Sequence, residues 1–478
     1  MARSSQNGTR TASRERLSTD QGHTSTVHLI VVFLSWKLLL LLTAIASPGP
    51  GYDSSTEILF RRNTQSADSW LEYLAIRLTR WDGLYFASAS ESGLLFEQQW
   101  AFSPFLARVT SMIAGVSHSL AYQPPIVRHA LVGITISHVA HLVAVILLYR
   151  LTYIILSDAY QRKQQIAFTA ACLHTISPAG LFLSAPYGES AFAMFNFAGL
   201  LCYAHASQSL HQPGIASATT SFAWTIASGL LIGIATMIRS NGLFGGFMFA
   251  CDVVAFLPSL SSVLRQHDWS TLVRVSSTIL AGVLIAIGYI GPQVFAYIEY
   301  CTGGNERIWC HRTIPSIYSF VQSHYWDVGF LHYWTTSNLP LFTLATPMLA
   351  MLVGTGYIAL HPTQLNTFAS AVTASVKPEG SGSGDVFRHT MRRFALPQVV
   401  LAVLAFTSFH VQIINRISSG YPVWYILLAI AIRANTSEMR LGVGALNFLQ
   451  SNAELLARTC VIYAIVQGGL YASFLPPA

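Results

Sequence analysis

Long apolar segments without charge constrain the fold of this chain more than any other feature of its sequence. Residues 276–298 and 459–478 contain no Asp, Glu, Lys or Arg, and 129–149, 166–188, 339–360 and 394–415 are similar. A membrane-spanning helix needs about 20 predominantly apolar residues. Only 10% of the residues are charged, whereas soluble domains carry roughly 25%. A large soluble protein would need many more water-facing charges. We therefore expect an all-α, polytopic transmembrane helical bundle of about nine to twelve spans, with helices also in its lumenal loops.

The predicted spans follow the apolar runs. Eleven segments are predicted to cross the membrane, namely 27–46, 129–149, 166–186, 190–206, 222–238, 242–258, 276–298, 339–360, 394–414, 421–433 and 459–475. The first is longer than a signal-peptide core and is interpreted as a retained span. The 222–258 region fits either two short spans or a re-entrant pair. Residues 101–122 contain Pro104 and Arg108 and are expected to form a helix on the membrane surface.

Basic residues in the short loops predict the orientation of the chain. The polar tail, residues 1–26, carries four arginines and is expected to be disordered and cytosolic. The rest, 27–475, is predicted to be a single membrane domain. Its two long lumenal loops are then 47–128 and 299–338, and 361–393, which contains PEGSGSGD, is a flexible cytosolic linker. The first lumenal loop is also basic. The net charge of +7 is scattered, so no nucleic-acid partner is expected.

The cysteines fit an oxidising compartment. Four of the six cysteines lie in apolar runs, where cysteine usually acts as a small hydrophobe. Cys301 and Cys310 share the 299–338 loop. Two thiols in one lumenal loop indicate a disulfide, although two unpaired cysteines remain an alternative.

The first candidate site is Arg80-Trp81-Asp82-Gly83-Leu84-Tyr85-Phe86 in the first long loop. An acidic residue between aromatics at a membrane surface places a carboxylate beside a lipid-borne substrate, where it can act as a general base toward a hydroxyl. The alternative is that Asp82 caps a helix while Trp81 and Tyr85 anchor at the interface. On spacing alone the capping interpretation is preferred.

Two further motifs lie at predicted lumenal boundaries. Pro and Gly break the segment 177–190, SPAGLFLSAPYGES, and broken helices at membrane depth line cavities. Glu189 at this break is a functional candidate because ionisable groups there are costly; otherwise it lies in a solvated turn. Arg239 and Asn241, in Arg-Ser-Asn-Gly, suit a phosphate headgroup. The commoner alternative is a snorkelling arginine.

The last motif is residues 410–416, HVQIINR, where His410, Gln412 and Arg416 form a loose polar group. The sequence has no zinc-spaced His/Cys cluster, no Walker loop, no GxSxG elbow and no DxD motif. We therefore expect neither a metal nor a cofactor.

Taken together, these motifs resemble the GPI mannosyltransferase 2 (PIG-V) family, multispanning glycosyltransferases of the GT-C type in the endoplasmic reticulum. The resemblance rests on residues 80–86, 177–190 and 239–242, the Cys301–Cys310 loop with Trp309, and residues 410–416 with the following Tyr-Pro-x-Trp-Tyr. It implies an inverting α-1,6-mannosyltransferase that adds the second mannose to the GPI-anchor precursor from dolichyl-phosphate mannose. It also implies a multi-pass protein of the endoplasmic reticulum membrane with a lumenal active site, and it allows a small membrane partner subunit.

The resemblance assigns roles to the candidate residues. Asp82 would be the catalytic base. The substrate-binding residues expected with it are Arg80, Trp81, Tyr85, Glu189, Arg239, Asn241, His410, Gln412 and Arg416. Three other functions stay open at this point. They are another dolichol-phosphate-sugar-dependent GT-C glycosyltransferase, a multispanning transporter, and a structural scaffold of a membrane complex.

Overall fold

The computed structural model describes residues 26–48, 54–60, 69–156, 162–209, 215–304, 306–366, 383–435, 444–473 and 475. Within these ranges the regular structure is helical, and no strand occurs among them. In chain order the helices are α1 Thr26–Ala46, α2 Ser55–Phe60, α3 Trp70–Leu78, α4 Gly83–Ser92, α5 Glu97–Trp100, α6 Pro104–Val116, α7 Pro125–Ile155, α8 Lys163–Thr175, α9 Glu189–Ser209, α10 Ile215–Ile238, α11 Gly246–Phe256, α12 Leu260–Gln266, α13 Trp269–Cys301, α14 Ile317–His324, α15 Leu339–Leu360, α16 362–366, α17 Ser383–Thr407, α18 Ile414–Ile417, α19 Val423–Asn435 and α20 Ala445–Ala472.

The length and apolar character of the helices confirm a multi-pass, all-α membrane protein. Seven helical segments of the described chain are long and apolar enough to cross a membrane, and they include α1, α7, α13 and α20. An eighth is added if residues 411–420 and α19, which meet at 76°, form one broken span. By this criterion the number of spans is smaller than the nine to twelve expected from the sequence.

Three predicted spans account for most of this difference. The segment 166–186 is not one helix, because α8 ends at Thr175 and a 3-10 turn, Gly180–Leu183, follows it. The segment 190–206 lies in α9, whose 21 residues give a length of about 31 Å. The segment 394–414 begins inside α17. Both helices carry polar residues, and α9 is largely buried within the protein. A helix surrounded by protein can carry polar side chains toward the bundle interior, and these lower its hydropathy below that of the other spans.

The lumenal loops contain helices as expected, and the predicted linker is also partly helical. The first long loop, 47–128, holds α2 to α6, and α6 confirms the helix expected within 101–122. The predicted linker 361–393 is helical at both ends, in α16 and in the first part of α17. Its middle, 367–382, and residues 1–25 of the predicted tail lie outside the described residues.

Small residues allow the central helices to pack closely. Helix α10 packs against both α9 and α13. Gly233 of α10 and Gly288 of α13 meet where these helices cross, and a Cβ added to Gly288 would overlap the Gly233 carbonyl. Close approach at small residues is characteristic of membrane helix packing.

Helix α19 lies at the centre of the bundle, against α8, α15, α17 and α20. Its residues from Val423 to Ala431 are all fully buried. A helix that is apolar on every side is expected to be buried on every side. The rigid centre that it forms fixes the preceding turn, Ser418–Gly420, and with it α18.

Candidate active site

The structure places Asp82 beside a cation rather than at a helix cap. Trp81 adopts a left-handed backbone conformation (φ 53°), which is uncommon for a non-glycine residue. The chain turns there, and α4 begins at Gly83. Asp82 occupies the N-cap position but its side chain makes no capping hydrogen bond. Instead, Asp82 Oδ2 accepts a hydrogen bond of 2.8 Å from an Nη atom of Arg416. The capping alternative is therefore excluded for the Asp82 side chain.

Glu189 joins two arginines beneath this carboxylate. It is the first residue of α9, where the positive end of the helix dipole favours an acid. Its side chain is 1% exposed, so the alternative of a solvated turn is wrong. Glu189 Oε1 lies 2.8 Å from Nη1 of Arg239 and 2.9 Å from Nε of Arg416. Asp82, Arg416, Glu189 and Arg239 thus form one continuous ion network, in which two negative and two positive formal charges balance. Such balance is what makes buried charges tolerable.

The Arg-Ser-Asn-Gly motif is held in place by the turn that precedes α19. Arg239 has an extended backbone conformation and directly precedes the 3-10 turn Ser240–Gly245. Asn241 Nδ2 donates to the hydroxyl of Tyr421 at 2.9 Å, and that hydroxyl donates to the Asn241 carbonyl at 3.2 Å. Arg239 Nε lies 3.4 Å from Asn241 Oδ1. The guanidinium of Arg239 is therefore fixed from two sides, by Asn241 and by Glu189.

These side chains meet at a cavity of about 420 Å³. Five of the residues predicted as site residues line it, namely Asp82, Arg239, Asn241, His410 and Arg416. Most of the remaining wall is aromatic or apolar, and it includes Phe86, Phe102, Phe244, Tyr289, Tyr318 and Trp326. A mostly apolar pocket with a few convergent polar groups is the usual form of a small-molecule site.

The second long loop supplies a wall that the motifs did not predict. Helix α14 and the residues after it bring Tyr318, Gln322 and Trp326 to the cavity. Ser240 Oγ donates to the Tyr318 hydroxyl at 2.7 Å, and a ring nitrogen of His410 lies 2.9 Å from the Trp326 carbonyl. The only sequence signal for this wall is the aromatic run that follows the two loop cysteines.

Glu97 fixes that wall to the first loop. Its two carboxylate oxygens accept hydrogen bonds of 2.9 Å from the Trp309 indole and of 2.9 Å from the Tyr325 hydroxyl. Burial, with the hydrogen bond and charge of Glu97, raises the pKa of Tyr325 above its ordinary value. Trp309 is fully buried and lies next to Cys310, which the structure pairs with Cys301 in a disulfide. The buried carboxylate and the disulfide thus hold the same loop.

Arg80 is placed away from the cavity, although it was predicted to bind substrate. The residue is 2% exposed, and it is absent from the cavity lining. Its carbonyl accepts hydrogen bonds from the hydroxyls of Tyr187 (2.9 Å) and Tyr471 (3.2 Å). Through these hydrogen bonds to its carbonyl, Arg80 helps to position the turn that carries Asp82.

Trp81, Tyr85 and Gln412 also lie outside the cavity lining. Trp81 packs against the main apolar core, and Tyr85 stacks on Phe102 with ring centroids 4.8 Å apart. Partial burial and, secondly, the charge of Asp82 raise the pKa of Tyr85. Trp81 and Tyr85 flank Asp82 in the sequence, but their side chains contact the apolar core and Phe102 instead of the cavity. Among the described residues, no three or more His, Cys, Asp or Glu side chains come together as metal ligands would.

Comparison with known proteins gives consistent matches over the whole membrane domain. The family model described as mannosyltransferase (PIG-V) matches residues 26–478. The chain is 41% identical over 94% of its length to a protein of Gibberella zeae named GPI mannosyltransferase 2, of which 97% is covered. It is 39% identical over 94% of its length to the protein of that name from Chaetomium globosum, of which 96% is covered. The crystal structure of the apo oligosaccharyltransferase of Archaeoglobus fulgidus aligns with a TM-score of 0.44 and 14% identity, covering 94% of this chain and 56% of that one.

Proposed function

The chain belongs to the PIG-V mannosyltransferase family, and we propose that it adds the second mannose, in α-1,6 linkage, to a GPI-anchor precursor. The donor is dolichyl-phosphate mannose, and the site faces the lumen of the endoplasmic reticulum. The observation that supports this proposal most is the Asp82 carboxylate on a cavity wall, connected through Arg416 to Glu189 and Arg239. One wall thereby offers both a base and a cationic site.

Asp82 is the base in this proposal. Its side chain is 31% exposed, so a hydroxyl that enters the cavity can reach it. Asp82 accepts the proton of the acceptor 6-hydroxyl as that oxygen bonds to the anomeric carbon of the donor mannose. The bond between the anomeric carbon and the phosphate oxygen breaks at the same centre. The attack comes from the face opposite the leaving group, so a β-linked donor gives an α-linked product through an oxocarbenium-like state, as glycosidases do.

Arg416 and Arg239 stabilise the departing dolichyl phosphate. Guanidinium groups bind phosphate oxygens with two parallel hydrogen bonds, and donors fixed before the reaction stabilise the charge that develops in it. The same Arg416 group holds Asp82 at 2.8 Å. Donor phosphate would compete with Asp82 for this cation. Donor binding therefore frees the carboxylate for the acceptor hydroxyl, and the reaction favours the donor entering first.

Glu189 is a positioning residue in this scheme. Its oxygen Oε1 lies within 2.9 Å of both guanidinium groups, so it sets the spacing of the two arginines before a phosphate arrives. Asn241 and His410 line the cavity beside them and bind sugar hydroxyls in this scheme. A small membrane partner subunit is compatible with the exposed apolar faces of α1 and α13, which carry residues such as Leu34 and Phe295.

A transfer assay tests the donor, the acceptor and the product together. Microsomes that contain the protein as their only source of this activity are supplied with labelled dolichyl-phosphate mannose and the mono-mannosylated GPI precursor. We expect a two-mannose product that α-1,6-specific digestion shortens by one sugar. A parallel reaction with a nucleotide-activated mannose, in microsomes unable to make the dolichol donor, should give none. If the expressed protein forms no two-mannose product from the dolichol donor, the proposed reaction is wrong.

A further inference from the structure

The first half of α17 presents four basic residues on one face. Arg388, His389, Arg392 and Arg393 follow the i, i+1, i+4, i+5 pattern that aligns side chains on a helix. Within the described part of the chain, these four side chains form the complete lining of a cleft of about 200 Å³. The proposed reaction uses none of them.

This basic cleft lies at the end of the membrane domain opposite the cavity. Leu404 of α17 lines the cavity, and it lies sixteen residues beyond Arg388, a distance of about 24 Å along a helix. Helix α9 gives a similar separation, since Tyr203, which contacts the cleft, follows Glu189 by fourteen residues, or about 21 Å. The cleft is therefore a separate feature and not an extension of the active-site cavity.

A polar network outside the cleft orients two of its four residues. Asp252 Oδ1 accepts a hydrogen bond of 2.6 Å from Arg393 Nε, and Asp252 Oδ2 accepts one of 2.6 Å from the Tyr203 hydroxyl. The same hydroxyl lies 3.1 Å from His389 Nε2, and the Tyr203 and His389 rings are parallel within 5°. The lining of the cleft therefore consists of basic side chains, and Asp252 pairs with one of them, Arg393.

Arg392 provides the observation that points to a ligand. Its Nε atom is buried and has no hydrogen-bond partner among the described residues. A buried donor without an acceptor is unfavourable, and native proteins rarely leave one. A phosphate oxygen seated in the cleft would accept from this atom while its charge balanced the neighbouring guanidinium groups.

We propose that the basic cleft binds the phosphate of an anionic lipid headgroup, on the membrane face opposite the active-site cavity. Two features distinguish this site from arginines that only snorkel to the interface. The hydrogen bond to Asp252 holds the Arg393 guanidinium in one orientation. The planar guanidinium groups also match the geometry of a phosphate. Anionic lipids at a membrane surface attract clustered basic residues of this kind. Inorganic phosphate presents the same chemistry, and the experiment separates the two sources.

The test compares matched charge-removing variants of the full-length protein. Arg388→Gln/Arg392→Gln removes two charges from the cleft, and Arg265→Gln/Arg458→Gln removes two from exposed positions elsewhere. Each protein is purified and titrated with phosphatidylcholine nanodiscs or vesicles that contain phosphatidylinositol phosphate, phosphatidic acid or no anionic lipid. Retained lipid is measured by native mass spectrometry, and a second titration uses inorganic phosphate alone. Mannosyl transfer serves as a check that every variant is folded.

The expected result is selective retention of anionic lipid by the wild type and by the exposed-site variant, with affinity reduced about tenfold or more in Arg388→Gln/Arg392→Gln. Arg392→Lys, which keeps the charge but loses Nε, should also bind less tightly. If inorganic phosphate saturates the site as well as the lipid does, the cleft is a phosphate site and the lipid assignment is overturned. Equal retention by all variants, or equal loss in both double variants, would show that no specific site exists.

Discussion

Replacing Glu189 by Gln should destabilise the protein strongly, because Arg239 would lose the carboxylate that pairs with it while Arg416 would keep Asp82. Glu189 is 1% exposed and lies 2.8 Å from Arg239 and 2.9 Å from Arg416. The substitution preserves volume and leaves a hydrogen-bond acceptor, so it changes little except the charge. It converts a balanced four-residue network into one with a net positive charge on largely buried side chains, since Arg239 and Arg416 are 17% and 14% exposed.

The magnitude follows from the burial of the pair. Removing one partner of a buried ion pair costs about 3–5 kcal/mol, because the remaining charge is left uncompensated. A natural protein has a stability of only about 5–15 kcal/mol, so we expect a large fall in the folded fraction. Glu454→Gln is the matched control. It breaks an exposed pair with Arg458, in which Glu454 is 59% exposed, and such pairs contribute about 0–1 kcal/mol.

The assay is thermal unfolding of the detergent-solubilised full-length protein, followed by the loss of the monodisperse peak in size-exclusion chromatography. Glu189→Gln should unfold well below the wild type, and Glu454→Gln should unfold with it. The double variant Glu189→Gln/Arg239→Gln restores the charge balance and should recover part of the lost stability. If Glu189→Gln unfolds at the same temperature as Glu454→Gln, the ion network does not hold this end of the bundle as described.

Three further predictions concern other parts of the molecule. Arg416→Lys keeps the charge but loses the fork that reaches Asp82 and Glu189, so kcat/KM for the dolichol donor should fall about tenfold or more. Glu97→Ala releases the wall formed by the second loop and should raise KM more than it lowers kcat, whereas Glu306→Ala in that loop should do neither. Gly288→Val overpacks the crossing of α10 and α13 and should cost about 1–3 kcal/mol in thermal unfolding. Gly282→Val on the same helix meets open space and should be tolerated.

The apolar runs predicted the membrane architecture because span length and composition follow directly from the bilayer. The sequence also predicted the break near 177–190, since Pro and Gly act locally. The extent of α8 was not predicted correctly, and of the first-loop helices the sequence located only α6. Helices such as α9 are surrounded by protein, so their outer surfaces carry no apolar signal that distinguishes a span from a buried helix.

The site was partly predictable for a related reason. Asp82, Arg239 and Arg416 are ionisable groups in apolar surroundings, and such groups are unusual enough to mark a site without knowledge of the fold. Arg80 showed the same signal, but it is buried and does not line the cavity. The left-handed turn at Trp81 sets the directions in which the side chains of Arg80 and Asp82 leave the backbone. No sequence pattern indicated this turn.

The wall formed by α14 could not be predicted, because it depends on contacts distant in sequence. Glu97 binds Trp309 and Tyr325 across separations of 212 and 228 residues. Its own neighbourhood, Phe-Glu-Gln-Gln-Trp, resembles an ordinary helix start. Only the folded chain shows that this carboxylate organises one side of the cavity.

The most direct test of the proposed mechanism is mannosyl transfer by Asp82→Asn, measured beside Asp327→Asn, whose side chain is 85% exposed. Both variants are assayed in microsomes with dolichyl-phosphate mannose and the mono-mannosylated precursor, at matched protein levels. Loss of a general base lowers the rate about 10²–10⁴-fold, so Asp82→Asn should lose nearly all transfer while still binding the donor, and Asp327→Asn should remain active. Full transfer by a folded Asp82→Asn protein would contradict the assignment of Asp82 as the base.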